Sequence, residues 1–213
     1  TDPFGGTEGD VARYYNDNAT YSYLNRGGNF AYSLRRLSQW IGVADESDVS
    51  YAQAGATISG SSIDDKYAYG YDKAHLENAY EINIKQQPDQ VKEMIEQNGA
   101  VGAIYHDRDS AWGLYGTDSY TYYDTDTLGG GHAIMIVGWD DNFSKDNFKY
   151  GNKPAHDGAW LVRNSWGDYK DYFWMSYDTV SLLDTAWAFD FTGTDNYAVS
   201  YTHLRAHETK ANL

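Results

Sequence analysis

The residues of this chain whose types and spacing could do chemistry are His132 and Asn164. His132 follows three glycines and precedes a short, nearly continuous apolar run that ends at Trp139, and Asn164 lies in the segment Trp160–Gly167. A histidine that an amide holds in orientation can take a proton from a nucleophile and return it later. The two residues are therefore candidates for two of the three members of a nucleophile–histidine–asparagine triad. A cysteine, the third member, is absent from the whole chain.

Two neighbouring strands are needed to bring this pair together. The run after His132 is rich in β-branched residues, which predicts a buried strand, and Trp160–Arg163 predicts a second one. If the two strands are antiparallel neighbours, His132 and Asn164 lie side by side, and Trp166 can shelter their hydrogen bond from water. A lone histidine is more often structural than catalytic, and an asparagine at a strand end often only satisfies a turn. The pair therefore carries more weight than either residue alone.

The remaining patterns place helices early and strands late along the chain. Phe30–Ile41 shows helical spacing of its apolar residues, with Asn29 as the N-cap and Gly42 as the stop. A second helix is predicted to begin at Pro88 and to end before Gly99. Strands are predicted around Tyr80–Ile84, Val101–Tyr105, Tyr172–Tyr177 and Ala186–Phe191, with loop and short strand pieces over Asp107–Leu128. This order favours an α+β domain over alternating βαβ units.

Composition narrows the class of function. The chain has 213 residues, 41% of them hydrophobic, and a net charge of -15 that is spread along the sequence. Nucleic acids and anionic membrane surfaces bind basic patches, so neither is an expected partner, and no apolar window is long enough for membrane insertion. The 21 tyrosines and 7 tryptophans fit either an aromatic surface that binds peptides or carbohydrates or, as we favour, a strand-rich fold.

Neither a cofactor nor a metal is expected. The sequence shows no glycine-rich phosphate-binding loop. Asp140, Asp141, Asn142 and Asp146 form an acidic group, but the glycine and the terminal glutamate of a calcium-binding EF-hand loop are not at their required offsets. These residues are therefore predicted to lie in a solvated loop.

The motifs around the pair resemble those of the papain-type cysteine peptidases, and more narrowly their bacterial members. The resemblance rests on His132 ahead of an apolar strand, Val137–Trp139 at the end of that strand, Trp160–Gly167 (WLVRNSWG) and Tyr172–Met175 (YFWM). Gly27 and Gly28 look like the family segment whose backbone pairs with extended substrate. The resemblance covers roughly Asn25 to Phe191.

The resemblance implies a papain-like α+β fold, with an incomplete helix-rich N-terminal part packed on a C-terminal antiparallel sheet or barrel. It implies hydrolysis of peptide or protein substrates by Cys-His-Asn catalysis, with His132 and Asn164 as catalytic residues and Trp166 supporting the site. Substrate binding falls to Gly27, Gly28, Asn29, Phe30 and Ala133. No cofactor is implied. An extracellular or cell-surface location and further domains in the full-length protein are implied by the bacterial members.

The family's nucleophile stands on a helix that would precede Thr1. We therefore expect residues 1–198 to be a partial peptidase domain without that helix, and the chain as written to be inactive. Without that helix we expect an exposed apolar groove along the His132 side, lined by Phe30, Leu34 or Tyr105. Residues 199–213 resemble the translation of a sequencing adapter and are expected to be a non-native tail. The alternative function is a non-catalytic papain-like adhesion or carbohydrate-binding module of a surface protein.

Overall fold

The computed structural model describes residues 28–45, 47–48, 72–149 and 151–193. The chain divides into two units, Thr1–Asn78 with Asp190–Leu213 and Ala79–Phe189. In chain order the elements are α1 (Phe30–Leu37), β1 (Ala74–Asn83), α2 (Pro88–Asn98), β2 (Val101–Asp107), β3 (Trp112–Tyr115), β4 (Ser119–Tyr122), β5 (Gly130–Asp140), β6 (Ala159–Arg163), β7 (Tyr172–Ser176) and β8 (Leu182–Gly193). The expected α+β class is confirmed. Neither α1 nor α2 has the length and apolar character that a membrane span requires.

The sheet is the dominant element and has the strand order β1-β8-β2-β5-β6-β7-β4-β3. β5 pairs antiparallel with β2 on one side and with β6 on the other, and β6 pairs antiparallel with β7. β4 and β7 instead run parallel. The core lies on the central strands, where Val101, Ala103, Ile134, Ile136 and Val162 are buried. The strands that were predicted to carry the pair are therefore interior strands with fixed neighbours.

Helix α1 is shorter than its sequence pattern predicts. Its start is confirmed, because the Asn29 side chain accepts a hydrogen bond from the Tyr32 N–H at 2.9 Å. The predicted end at Ile41 is wrong, since the helix ends at Leu37. Trp40 adopts a left-handed backbone with φ of 65°, and its ring stacks on His75 with centroids 5.0 Å apart. The packing of Trp40 on His75 thus ends the helix at Leu37, although the apolar spacing continues to Ile41.

Helix α2 agrees with the prediction at both ends. Pro88 occupies the first turn, where its missing N–H costs nothing. Gly99 caps the other end in the left-handed conformation, with φ of 82°, and its N–H donates to the Ile95 carbonyl. Val91, Met94 and Ile95 are the buried residues of the helix, which contacts β2 and β5.

Lys92 links α2 to the loop that follows β5. Its amine donates to Asp141 Oδ1 at 2.7 Å, and the Tyr177 hydroxyl donates to the same oxygen at 2.8 Å. The hydrogen bond from Lys92, followed by that from Tyr177, lowers the pKa of Asp141. A lowered carboxylate pKa stabilises the fold above the unfolded-state pKa, and this stabilisation is lost as the pH falls through the folded-state value.

We expect Lys92→Met to lower stability near neutral pH and to lose that effect in acid. Asp141 is more than half exposed, so solvent screening limits the difference to less than about 1 kcal/mol. Thermal melts of both proteins should converge as the pH falls below about 4, the ordinary range of an aspartate pKa. Lys149→Met is the matched control, because Lys149 donates to the non-titrating Ser110 carbonyl. A Lys92 effect that persists unchanged in acid would contradict the assignment to Asp141.

Candidate active site

The pairing of β5 with β6 brings His132 and Asn164 together, as their sequence context predicts. His132 lies near the beginning of β5, and Asn164 directly follows β6. The two strands are antiparallel, with Met135 opposite Arg163. His132 Nε2 lies 2.8 Å from Asn164 Oδ1, which is within hydrogen-bond distance.

A second contact of Asn164 fixes which His132 nitrogen carries a proton. The Ser165 backbone N–H donates to Asn164 Oδ1 at 2.8 Å. A backbone N–H can only donate, so this atom is the amide oxygen and not the amide nitrogen. The same oxygen must accept from His132, so Nε2 bears the hydrogen. In the neutral ring, Nδ1 is then the nitrogen that can receive a proton.

Aromatic rings enclose the His132 imidazole on two sides. Trp166 stacks on it, with centroids 4.8 Å apart and planes inclined by 27°. Tyr105, directly opposite His132 in the β2–β5 register, makes an edge contact at 5.8 Å. His132 is half-buried and Asn164 is only 6% exposed. The hydrogen bond therefore lies in a largely dry environment, which strengthens it.

Tyr105 corrects one expectation and adds a site residue that the sequence did not reveal. It is one of three side chains that the sequence offers as the lining of an exposed apolar groove, but it is fully buried. The reason is that its ring packs against Tyr122 at 4.9 Å and Phe173 at 6.2 Å. The alternation of Val101, Ala103 and Tyr105 could indicate only an inward-facing side chain. Its position opposite His132 depends on strand register, which that pattern does not specify.

A carboxylate holds the Tyr105 hydroxyl in place. Asp107 Oδ1 accepts hydrogen bonds from the Tyr105 hydroxyl at 3.2 Å and from Trp112 Nε1 at 2.9 Å. Burial, and then the charge of Asp107, raise the pKa of Tyr105 far above its ordinary value. Tyr105 is therefore a neutral phenol that donates to Asp107, and it supports His132 as a packing surface without exchanging a proton with it.

An ion pair joins the partly exposed Arg108, which directly follows β2, to Asp124, which follows β4. Asp124 is fully buried and binds Arg108 through both carboxylate oxygens, and this hydrogen bonding raises the pKa of Arg108. Arg108 also donates to Asp126 at 3.2 Å. The Tyr122 hydroxyl donates to the His106 carbonyl at 2.8 Å, and burial raises the pKa of Tyr122 to about 12. These contacts connect β2 to β4 and the loop after β4.

The expected substrate-binding residues are divided between the two units. Ala133 is next to it on β5 and is exposed. Gly28, Asn29 and Phe30 lie at the start of α1 in the other unit, where Asn29 caps the helix. Gly27 lies outside the described residues, as does the tail over residues 199–213. The predicted contact of the five candidate residues with substrate stays a prediction.

The members of the acidic group have partners within the protein, and the predicted loop position of Asp140 is wrong, because it is the last residue of β5. Asp141 binds Lys92, Asp146 binds Lys153 at 2.7 Å, and Asp140 accepts from the Asn142 backbone N–H. Within the described ranges, no three His, Asp or Glu side chains are grouped so that they could hold a metal ion.

Comparison with known proteins identifies relatives of this chain. The family model described as papain family cysteine protease matches residues 19–183. Among curated proteins, none matches the chain. The structure of the clostridial cysteine protease Cwp84 after propeptide cleavage is 30% identical over 79% of this chain and 42% of its own, with a TM-score of 0.66.

Two further structures extend this comparison. The cysteine protease and lectin-like domains of Cwp84, a surface layer associated protein of Clostridium difficile, are 29% identical over 80% of this chain and 38% of their own, with a TM-score of 0.65. A digestive procathepsin from the larval midgut of Tenebrio molitor is 19% identical over 76% of this chain and 47% of its own, with a TM-score of 0.51, which shows the fold alone. The chain thus spans less than half the length of each.

Proposed function

Because the chain belongs to the papain family of cysteine proteases, we propose that it supplies the histidine and the asparagine of a Cys-His-Asn peptidase site. The observation that carries the proposal is the hydrogen bond from His132 Nε2–H to Asn164 Oδ1. It occupies one ring nitrogen and leaves Nδ1 to exchange a proton with a nucleophile. Trp166 covers one face of the ring and excludes water from it.

The chemistry of this pair follows from the free nitrogen. A cysteine thiol next to Nδ1 gives its proton to the imidazole, and the thiolate attacks a peptide carbonyl carbon to form a C–S bond. The C–N bond then breaks while the imidazolium gives its proton to the leaving amine. Water hydrolyses the thioester with the imidazole as base, which restores the thiol. Throughout, Asn164 keeps Nε2 occupied and the ring in orientation.

The nucleophile is proposed to come from residues outside the given 213, because these include no cysteine. As an isolated polypeptide it is therefore proposed to be inactive. Gly27 and Gly28 bind the backbone of a peptide or protein substrate by strand-like pairing. Ala133 forms a wall of the main side-chain pocket, and Asn29 and Phe30 are further substrate-binding residues by resemblance to the family.

The proposal extends to the cellular location of the protein and to its further domains. The likeness to Cwp84, which is a surface layer associated protein, supports an extracellular or cell-surface location for a bacterial protein. The chain covers 42% and 38% of the two Cwp84 structures, which supports further domains in the full-length protein.

We expect catalysis to depend on His132 in a longer protein in which the preceding coding sequence is joined to this chain. A peptidyl epoxide directed at thiols should label that protein. His132→Ala should lower kcat/KM for a fluorogenic peptide by roughly 10²- to 10⁴-fold, the usual contribution of a general acid–base. The cysteine-free chain of 213 residues should not be labelled.

The control replaces a histidine away from the pair. His156→Ala removes an exposed residue that binds Asp178 and should leave kcat/KM unchanged. Activity that survives His132→Ala, or covalent labelling of the cysteine-free chain, would refute the proposal. A serine or glycine where the longer protein should carry its cysteine would favour the non-catalytic adhesion or carbohydrate-binding module.

A further inference from the structure

The loop between β6 and β7 contains Trp166, which stacks on His132. Near its end, Lys170 has an unusual backbone conformation. The Asn164 N–H donates to the Asp171 carbonyl at 2.7 Å, which closes the loop. Two residues of the loop have left-handed backbones, Gly167 with φ of 66° and Lys170 with φ of 51°. That conformation suits glycine but is unfavourable for lysine, because a Cβ crowds the neighbouring carbonyl. Interactions of the Lys170 side chain must therefore compensate for it.

Lys170 is buried against aromatic rings instead of pairing with an acid. The residue is only 7% exposed. Its amine lies over four rings, 3.8 Å from the centroid of Trp112, 4.9 Å from Tyr169, 5.7 Å from Trp166 and 5.9 Å from Tyr120. Within the part of the chain that the structure describes, no carboxylate pairs with this amine. The negative faces of the rings take the place of the usual anion.

These four residues, which we call the aromatic cage, also contact one another. Trp112 lies 6.0 Å from Trp166, and Tyr169 stacks on Trp166 at 6.3 Å. Tyr120 lies 6.0 Å from Tyr169. Trp166 is the member that also stacks on His132. A continuous line of contacts therefore runs from the Lys170 amine through Trp166 to the imidazole.

We infer that Lys170 is a positioning residue for His132. Its ammonium fills the aromatic cage and holds the indole of Trp166 flat against the imidazole. The charge matters as well as the shape, because attraction between a cation and ring faces is directional and fixes the rings around one point. The catalytic consequence rests on the proposed function, in which the orientation of His132 limits proton transfer.

The test measures the ring resonances of His132 by NMR in the 213-residue chain. The stacked indole shields the imidazole protons, so Lys170→Met, which removes the charge and keeps an extended side chain, should move them downfield. Lys170→Arg retains the charge and should keep the wild-type positions. Lys85→Met is the matched control, because it removes a lysine that pairs with Asp184 instead, and it should change nothing at His132.

Unchanged His132 resonances in a folded Lys170→Met variant would overturn the inference. If that variant does not fold, the wild-type chain decides the question. Nuclear Overhauser effects between the Lys170 ε-protons and the rings of Trp112 and Trp166 are expected, and their absence would overturn the inference.

This test separates the inference from the proposed function. If the His132 resonances move in Lys170→Met but peptidase activity survives His132→Ala, the positioning role holds and the proposed function fails. If the His132 resonances do not move but peptidase activity requires His132, the proposed function holds and the positioning role fails.

Discussion

Phe173→Ala is expected to lower the free energy of unfolding by about 3–5 kcal/mol, the usual cost of deleting a fully buried aromatic ring. Phe173 lies on β7 and is 1% exposed. Its ring contacts Trp112 at 4.8 Å, Tyr105 at 6.2 Å and Tyr122 at 6.3 Å. Removing it leaves a cavity beneath Tyr105, the residue that supports His132. Urea denaturation measures the loss, which corresponds to a fall in Tm of roughly 10 °C for a chain of this size.

Two variants control for this prediction. Phe173→Leu keeps much of the volume and should cost no more than about 1.5 kcal/mol. Tyr172→Ala truncates the adjacent aromatic residue, which is 45% exposed, and should cost less than about 1 kcal/mol. If Phe173→Ala were no more destabilising than Tyr172→Ala, the ring would not be part of the core.

Asp124→Ala is expected to destabilise the fold by about 2–4 kcal/mol, because it removes the buried partner of an ion pair. Asp124 is fully buried, and it accepts hydrogen bonds from Arg108 and from the Asp126 backbone N–H at 3.0 Å. Without the carboxylate these donors lose their acceptor inside the protein. Arg108 is partly exposed, so water can hydrate it after the carboxylate is removed. The expected loss of stability is therefore smaller than for a pair in which both partners are buried.

The other acidic partner of Arg108 provides the comparison. Asp126 has a side chain that is 39% exposed, so Asp126→Ala should cost less than about 1 kcal/mol. Asp124→Asn keeps the shape and one acceptor oxygen and should fall between the two alanine variants. Equal losses for Asp124→Ala and Asp126→Ala in urea denaturation would show that burial does not set the strength of this pair.

The His132–Asn164 contact was predictable from the sequence because each residue adjoins a distinct strand pattern. Two strand neighbours joined by one loop leave few ways to arrange these side chains. Tyr105 and the end of α1 were not predictable in the same way. The first depends on the β2–β5 register, and the second depends on Trp40 packing against His75. Both are set by residues distant in sequence, which local periodicity does not encode.

Lys170 shows a different limit of sequence analysis. Lysine is normally assigned to the surface, since it is rarely buried without an anion. Nothing in the segment from Gly167 to Tyr172 indicates that the amine is surrounded by rings. Two of those rings, Trp112 and Tyr120, come from strands distant in sequence. The aromatic cage therefore becomes visible only when the sheet is assembled.

The parallel pairing of β4 with β7 bears on how the chain folds. It joins Tyr120 to Phe173, and the β2–β8 pairing joins Gly102 to Trp187. Both require long loops to close, an entropic cost that precedes any gain from contact and that slows the folding of high-contact-order proteins. The β5–β6 pairing closes a shorter loop. Bringing together the strands that carry His132 and Asn164 therefore costs less loop-closure entropy than either of the other two pairings.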